Sequence, residues 1–264
     1  MPDIITLSDG GARLARRLMA QWPDGRLWLH TGVADRSGAS VFERTADLVA
    51  ERFEHSDGLI FIGPSGVMVR ALAPLVHSKL TDPPVVVVDT GGRHAISLLS
   101  GHEGGANDLA LTVANILGAE PVITTTTEAD KDLIVGIGCR KGCAAEAIVA
   151  AVRWGLAQVD ADPGRVRFLA SADIKREEAG LIAAARLLAI PLRLIASEDI
   201  RACIKGFTPN PVARKNVALP AVAEPAALLA GRRTRLILPK TIHRSVTVAV
   251  ARENFLSSVS GREA

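Results

Sequence analysis

The sequence predicts two three-layer α/β domains with largely parallel sheets. Short runs rich in Val, Ile and Leu, of which "VVVV" at 85–88 is the purest, alternate with longer stretches of helical periodicity. That alternation restarts after "EADKD", so the chain divides into an N-terminal domain over residues 1–128 and a C-terminal domain over residues 129–264. Glycine-rich turns stand between strand and helix at 63–66 and 101–107, and a third, at 136–142, closes a strand in the second half. The boundary rests on local charge density and on the restart, since composition does not shift between the halves.

In order, "DIITL" reads as a strand and "DGGARLARRLMAQW" as a helix with Leu14, Leu18 and Met19 on one face. "RLWLH" is a strand. "SVFERTADLVAERF" carries a helical stripe through Val41, Phe42, Thr45, Leu48, Val49 and Phe53. "GLIFIG" is a strand, and "SGVMVRALAPLVHSKL" a helix that Pro74 divides. "PVVVVD" is a strand, "TGGR" a tight turn and "HAISLLS" the neighbouring strand. After "GHEGGAN", a helix runs through Leu109, Val113, Ile116 and Leu117 to a stop at Gly118, and "PVITTTT" is a further strand. The second half reads as strand "DLIVGIG", loop and helix "CRKGCAAEAIVAAVRWGL", strand "RVRFLAS", helix "REEAGLIAAARLLA" and strand "PLRLI". Ser197 caps a short helix "EDIRACI", and the four prolines of "FTPNPVARKNVALPAVAEP" make it an irregular loop. "AEPAALLAG" is a helix, and "RLILPK" and "SVTVAVAR" are closing strands.

Composition narrows the function. Of 264 residues, 48% are hydrophobic and 22% charged, a balance suited to packed domains rather than to disorder. Aromatics are only 3% and tyrosine is absent, which removes the stacking platforms of single-stranded nucleic-acid binders. The net charge of +3, without a polybasic run, suits an acidic small molecule and gives no footprint for DNA or a membrane surface. No apolar run approaches the ~18 residues of a transmembrane helix, and the N-terminus has no signal pattern. Three cysteines form no disulfide framework, and the expected setting is the reducing cytoplasm.

Three glycine loops carry candidate chemistry. In "GHEGGAN", free N–H groups at a helix start attract anions, and Gly101, Gly104, Gly105 and Ala106 allow close backbone approach. His102 is a candidate general base, and Asn107 either caps the helix or donates to a carbonyl oxygen. A capped turn bearing a solvated histidine is the competing reading. "GPSG" offers Gly63, Ser65 and Gly66, with Arg70 one turn further on, and as a strand–helix loop it is expected on the same sheet edge as "GHEGGAN". "GIGCRKG" has the spacing Gly-x-Gly-x-x-x-Gly, one residue longer than the dinucleotide fingerprint. In it Gly138, Arg140, Lys141 and Gly142 make a carboxylate site. Cys139 is either a helix-terminal nucleophile or a small packed residue, and the second reading is preferred. Cys139 and Cys143 lack a second pair for a metal. Lys175 follows a strand, and Lys240 stands at the end of another.

With these motifs in view, the chain resembles the cobalt-precorrin-5A hydrolase (CbiG) family of anaerobic cobalamin biosynthesis. The resemblance lies in "GPSGVMVRALAP", "SKLTDPPVVVVD", "ISLLSGHEGGANDLA" and "PVITTTTEA", then in "GIGCRKG", "SADIKREEAGL", "VAEPAALLAG" and "LPKTIHRSVTVAVAR". It runs in order from about residue 55 to residue 252. The resemblance implies a hydrolase that opens the ring-A δ-lactone of cobalt-precorrin-5A and releases acetaldehyde to give cobalt-precorrin-5B. The partner is then an anionic cobalt-tetrapyrrole, cobalt is carried by the substrate, and no cofactor or protein-bound metal is implied. On this reading His102 activates water, Asn107 and the backbone near Gly104 serve the oxyanion, and Arg70, Arg93, Arg140, Lys141 and Lys175 meet carboxylates. Contact with neighbouring pathway enzymes and a homo-oligomeric state are left open. Glu103 departs from the family pattern, which often has leucine there. Longer members also carry a middle segment, where here "TTTTEA" reaches "DLIVGIGC" across only "DK". Two other readings stand beside it: a non-catalytic carrier of a corrinoid intermediate, and a nucleotide-dependent α/β enzyme using "GIGCRKG" as a phosphate loop.

Overall fold

Seven short apolar runs of the first half pair into one sheet. The computed structural model describes residues 1–255 and separates two units, Met1–Thr125 and a second beginning at Thr126. In the first unit the strands are β1 (Asp3–Thr6), β2 (Arg26–His30), β3 (Ser40–Phe42), β4 (Leu59–Ile62), β5 (Val85–Val88), β6 (His94–Leu99) and β7 (Glu120–Val122). Their order is β3-β2-β1-β4-β5-β6-β7. All neighbours run parallel except β5 and β6.

Strand alternation sends successive side chains to opposite faces. Ile4, Ile60, Ile62, Val86 and Val88 pack under the helices α1 (Asp9–Met19) and α4 (Ala106–Leu117). Ile5, Leu59, Phe61, Val85 and Val87 pack under α2 (Thr45–Arg52) and α3 (Ser65–Leu72). These are the three layers. α4 stops where the sequence places its end, at Gly118, whose φ of 74° glycine adopts without strain.

The reversal between β5 and β6 is built on Asp89. Its carboxylate accepts the N–H groups of Gly91 at 3.1 Å, Arg93 at 2.8 Å and His94 at 2.8 Å. Gly92 supplies the positive φ, 69°, that the turn needs.

The second unit opens with a short α5 (Thr126–Ala129) and holds β8 (Leu133–Gly138), α6 (Ala145–Ala157), β9 (Val166–Ala172), α7 (Ala179–Leu188), β10 (Leu192–Ile195) and α8 (Ser197–Arg201). It continues with α9 (Pro211–Val217), α10 (Ala223–Leu229), β11 (Arg235–His243) and β12 (Val246–Arg252). The sheet order is β10-β9-β8-β12-β11. β8, β9 and β10 are parallel, whereas β12 and β11 are antiparallel additions. Parallel pairing therefore predominates in the first sheet, and the second is evenly mixed. α6 and α7 cover one face through Ile148, Val152, Leu156, Leu181 and Ala184. α10 lies close over β8 on the other face, where Gly136 leaves room for the Ala223 carbonyl.

Five local expectations change. Residues 40–42 form a strand rather than the start of a helix: Val41 is exposed, Phe42 is buried, and the segment pairs with β2. α3 ends at Leu72, so Pro74 terminates the helix rather than dividing it, and no second helical part follows before β5. β7 is only three residues long, and the threonine run leads into α5. Part of the proline-rich loop is the helix α9, because Pro211 sits at its first position, where a missing N–H is harmless. Ser197 lies inside α8 rather than capping it, and its hydroxyl donates to the Asp173 carboxylate. Among the described residues no helix is long and apolar enough to cross a membrane.

A methyl group at position 136 would overlap the Ala223 carbonyl oxygen, a backbone atom that yields only if α10 moves. Gly136→Ala is therefore expected to destabilise the second unit by about 1–3 kcal/mol, read as a lower chemical-denaturation midpoint.

Candidate functional site

At the end of β6 the chain leaves the sheet through Ser100, whose φ of 57° is left-handed. The loop then closes on itself. The Ala106 N–H donates to the Ser100 carbonyl at 3.1 Å, and the Asn107 N–H to the Gly101 carbonyl at 2.9 Å. Residues 102–105 project from this clasp. The helix cap is Gly105, with a φ of 87°, and not Asn107, which is the second residue of α4. The Asn107 side chain instead braces the loop from within. Its Oδ1 accepts from Ser97 Oγ at 2.9 Å, and its Nδ2 donates to Thr125 Oγ1 at 3.2 Å. β6 and the segment after β7 are thereby tied together, and one of the two Nδ2 protons is engaged.

His102 is exposed and its ring makes no hydrogen bond among the described residues. Gly104 is required for close approach, since a Cβ there would overlap Ser100. The N–H groups of Gly104 and Gly105 donate to no other described group. They stand at the positive end of the α4 dipole, where an anion is stabilised. Glu103, which the motif left without a role, reaches Lys79 at 2.6 Å and ties the loop tip to the connection leading into β5. The Lys79 ammonium bonded to it holds the Glu103 carboxyl below its ordinary range.

"GPSG" does not share this edge. Ile62, the last residue of β4, pairs with Val88, the last of β5. Leu99, the last residue of β6, pairs with Val85, the first of β5. The hairpin reversal therefore carries "GHEGGAN" to the opposite side of the sheet, and the expectation of a common edge is overturned. Strands of four to six residues separate the edges by about 13–20 Å. On the "GPSG" side, Gly63 is buried against the Phe61 ring, and Ser65 and Gly66 are exposed at the start of α3. Arg70 folds back onto the Gly66 carbonyl at 2.9 Å, and Arg93 is held by Asp89 at 3.2 Å. Facing Gly63 across the β1–β4 switch point is a loop that the sequence reading passed over. Its Ser8 hydroxyl caps α1 by accepting from Gly11.

In the second unit the expected residues do gather, because β8 and β9 run parallel and their loops leave by one edge. Gly138 and Cys139 end the strand, while Arg140 and Lys141 are exposed cations with no hydrogen bond or ion pair among the described residues. Gly142, at a φ of 74°, donates its N–H to Glu178 Oε1 at 2.8 Å. Lys175 bonds the other oxygen of Glu178 at 3.1 Å, so its charge is already offset. Burial pushes the Cys139 thiol up to about 11, which rules out a ready thiolate and leaves the packed reading. Burial alone would also raise Glu178, but the Lys175 ammonium and the N–H groups of Gly142 and Cys143 outweigh it and hold the carboxyl low. Sequence reasoning missed Glu178. Nothing in "KREE" distinguishes the second glutamate, and only the fold buries it. Among the described residues, no group of three or more His, Cys, Asp or Glu side chains is arranged to hold a metal ion.

A carboxyl held low in the folded state contributes stability above its unfolded pKa, near 4.3, and loses it as pH falls through the lower folded value. Glu178→Gln is expected to cost about 3 kcal/mol at neutral pH by leaving Lys175 unpaired. In denaturation curves taken at successive pH values, the deficit should shrink in acid.

Comparison with known proteins places these loops in a family. The family described as Cobalamin synthesis G N-terminal matches residues 47–128, and Cobalamin synthesis G C-terminus matches residues 133–251. A Salmonella typhimurium protein named cobalt-precorrin-5A hydrolase is 46% identical over 130 residues, 48% of this chain and 36% of that protein. A Priestia megaterium protein of the same name is 48% identical over 90 residues, 34% of this chain and 24% of its own length. The matched segments thus span well under half of these relatives. Protein CobE of Sinorhizobium is 33% identical over 128 residues, 48% of this chain and 83% of that protein. The crystal structure of a CobE from the cobalamin (vitamin B12) biosynthetic pathway, 34% identical, covers 46% of this chain and 90% of its own, with a TM-score of 0.43. Matched in order by both halves of the family, the chain belongs to the cobalamin synthesis G family.

Proposed function

We propose that the chain is a hydrolase of anaerobic cobalamin biosynthesis that opens the ring-A δ-lactone of cobalt-precorrin-5A and releases acetaldehyde, giving cobalt-precorrin-5B. The observation that carries this reading is the loop at the start of α4, where the exposed His102 stands beside two unpaired N–H groups on a braced backbone. The names of the matched relatives support the same chemistry.

Lactone hydrolysis needs a base for water and donors for the oxyanion. Water adds to the lactone carbonyl and gives its proton to His102. The N–H groups of Gly104 and Gly105 hold the charge on the carbonyl oxygen. The ring C–O bond breaks, and the leaving oxygen takes a proton, becoming a hydroxyl on the methylated bridging carbon. Collapse of that hydroxyl to a carbonyl breaks the bond to the macrocycle, which accepts the electron pair and a proton, and acetaldehyde departs. Asn107 positions the loop. In the second unit, described by itself, Arg140 and Lys141 are exposed cations without an ion pair among the described residues, the kind of group that binds carboxylates. Arg70 and Arg93 are engaged on the other edge of the first sheet, and Lys175 is neutralised. Cobalt enters as part of the substrate. The three free thiols support a cytoplasmic setting.

The test is incubation of the purified chain with cobalt-precorrin-5A and assay of acetaldehyde, which is expected to appear. Stoichiometric binding without acetaldehyde would favour a carrier. Affinity for a nicotinamide or adenine nucleotide, with none for the corrinoid, would favour the nucleotide-dependent reading. His102→Ala is expected to lower kcat about 100-fold or more, and undiminished turnover in that variant would remove the histidine from the mechanism.

A further inference from the structure

We propose that Lys79 is a positioning residue for His102, acting through Glu103 on the tip of the histidine loop. The inference rests on the hydrolase reading and gives Glu103 the role that the motif left open. The clasp onto Ser100 and Gly101 and the Asn107 side chain fix the two ends of the loop, and none of their bonds reaches residues 102–104. Among the described residues, the one hydrogen bond joining those three residues to another segment runs from Lys79 Nζ to Glu103 Oε1, at 2.6 Å. The same carboxylate accepts the Glu103 backbone N–H, so the pull of the lysine is passed directly to the main chain. His102 is the neighbouring residue, and a planar peptide joins the two Cα atoms at about 3.8 Å. Where Glu103 is held, the Cα of the base is held too.

The lysine can hold the tip because its own backbone is fixed. Residues 77–82 form a turn around Asp82, which is 6% exposed. The Asp82 carboxylate accepts the N–H groups of His77 at 3.0 Å and Ser78 at 3.1 Å, and the Asp82 N–H donates to the Ser78 carbonyl at 2.8 Å. Pro83 and Pro84 then restrict the path into β5. The ion pair therefore joins a loop tip that has no other anchor to a fixed point on the same unit. Its surroundings set the size of the effect. The Lys79 and Glu103 side chains are 70% and 39% exposed. Pairs of this kind shift an equilibrium by up to about fivefold, and salt screens them. The tip is thus held in most molecules at low salt and released at high salt.

The experiment measures steady-state acetaldehyde release from cobalt-precorrin-5A for wild type, Lys79→Met, Glu103→Gln and the exchanged double variant Lys79→Glu/Glu103→Lys. Each is assayed at about 0.02 M and about 0.5 M salt, with thermal unfolding alongside. At low salt each single variant is expected to lower kcat about three- to fivefold, with KM within about twofold and Tm unchanged. The exchanged pair should regain most of the loss, and high salt should bring wild type down to the level of the single variants. Single variants with wild-type kcat, or a deficit that the exchanged pair does not reduce, would overturn the proposal. A deficit confined to KM would make Lys79 a substrate contact and overturn it. A lowered Tm accompanying the loss would mark the pair as structural and overturn it as well. In each of these cases the hydrolase reading stands. If wild type itself releases no acetaldehyde, that reading falls first and the role of Lys79 falls with it.

Discussion

The geometry of the first unit depends on one carboxylate. Asp89 is half-buried at the end of β5, and burial by itself would raise its pKa. The N–H groups of His94, Arg93 and Gly91, with the Arg93 guanidinium, more than compensate and keep it ionised. Those bonds turn the chain through a hairpin, and the turn decides the direction of β6. Once β6 runs backwards, everything attached to its far end moves to the opposite edge of the sheet: the strained exit through Ser100, the histidine loop and the start of α4. A crossover connection at this point would instead have put "GHEGGAN" beside "GPSG".

Both glycine loops, 101–107 in the first unit and 136–142 in the second, use a glutamate as a tether, and the tethers differ in kind. Glu103 lies in solvent and reaches a flexible lysine, so its hold on the loop tip is screened and weak. Glu178 is buried and accepts from a backbone N–H as well as from Lys175, so it fixes the path of "GIGCRKG" firmly. The first loop therefore has rigid ends, set by the clasp and by Asn107, and a tip free to adjust. The second is fixed at both ends, by β8 and by the bond from Gly142 to Glu178, with Arg140 and Lys141 exposed between them. A loop of the first kind suits chemistry that must close around a reacting group, and one of the second kind suits static recognition of charge.

Much of this was legible in the sequence, and the remainder fails for identifiable reasons. Runs such as Val85–Val88 mark strands because nothing but a buried strand uses four consecutive valines well. The stop of α4 at Gly118 follows from glycine's freedom at positive φ. Residues 40–42 misled because Val41 and Phe42 fit a helical stripe as well as a strand, and only pairing with β2 decides between them. Asn107 has the chemistry of a cap, but Gly105 takes that position and Asn107 turns inward to Ser97 and Thr125. The turn "TGGR" was readable. Its consequence for the sheet edge needed the register of β5 with both neighbours. Ser100 and Glu178 were invisible, since burial and a left-handed φ leave no trace in residue type.

The second sheet carries a consequence for the order in which the protein takes shape. Among the described residues β12 is the last strand, yet it lies between β8 and β11, next to the strand that delivers "GIGCRKG". Gly138 pairs with Thr247, roughly a hundred residues away in sequence. A ribosome that has released β8, β9 and β10 has therefore made a parallel half-sheet whose open edge waits for β12. The basic loop gains its final support only when β12 has emerged. Truncations a few residues short of β12 would then remove the middle of a sheet rather than trim a terminus.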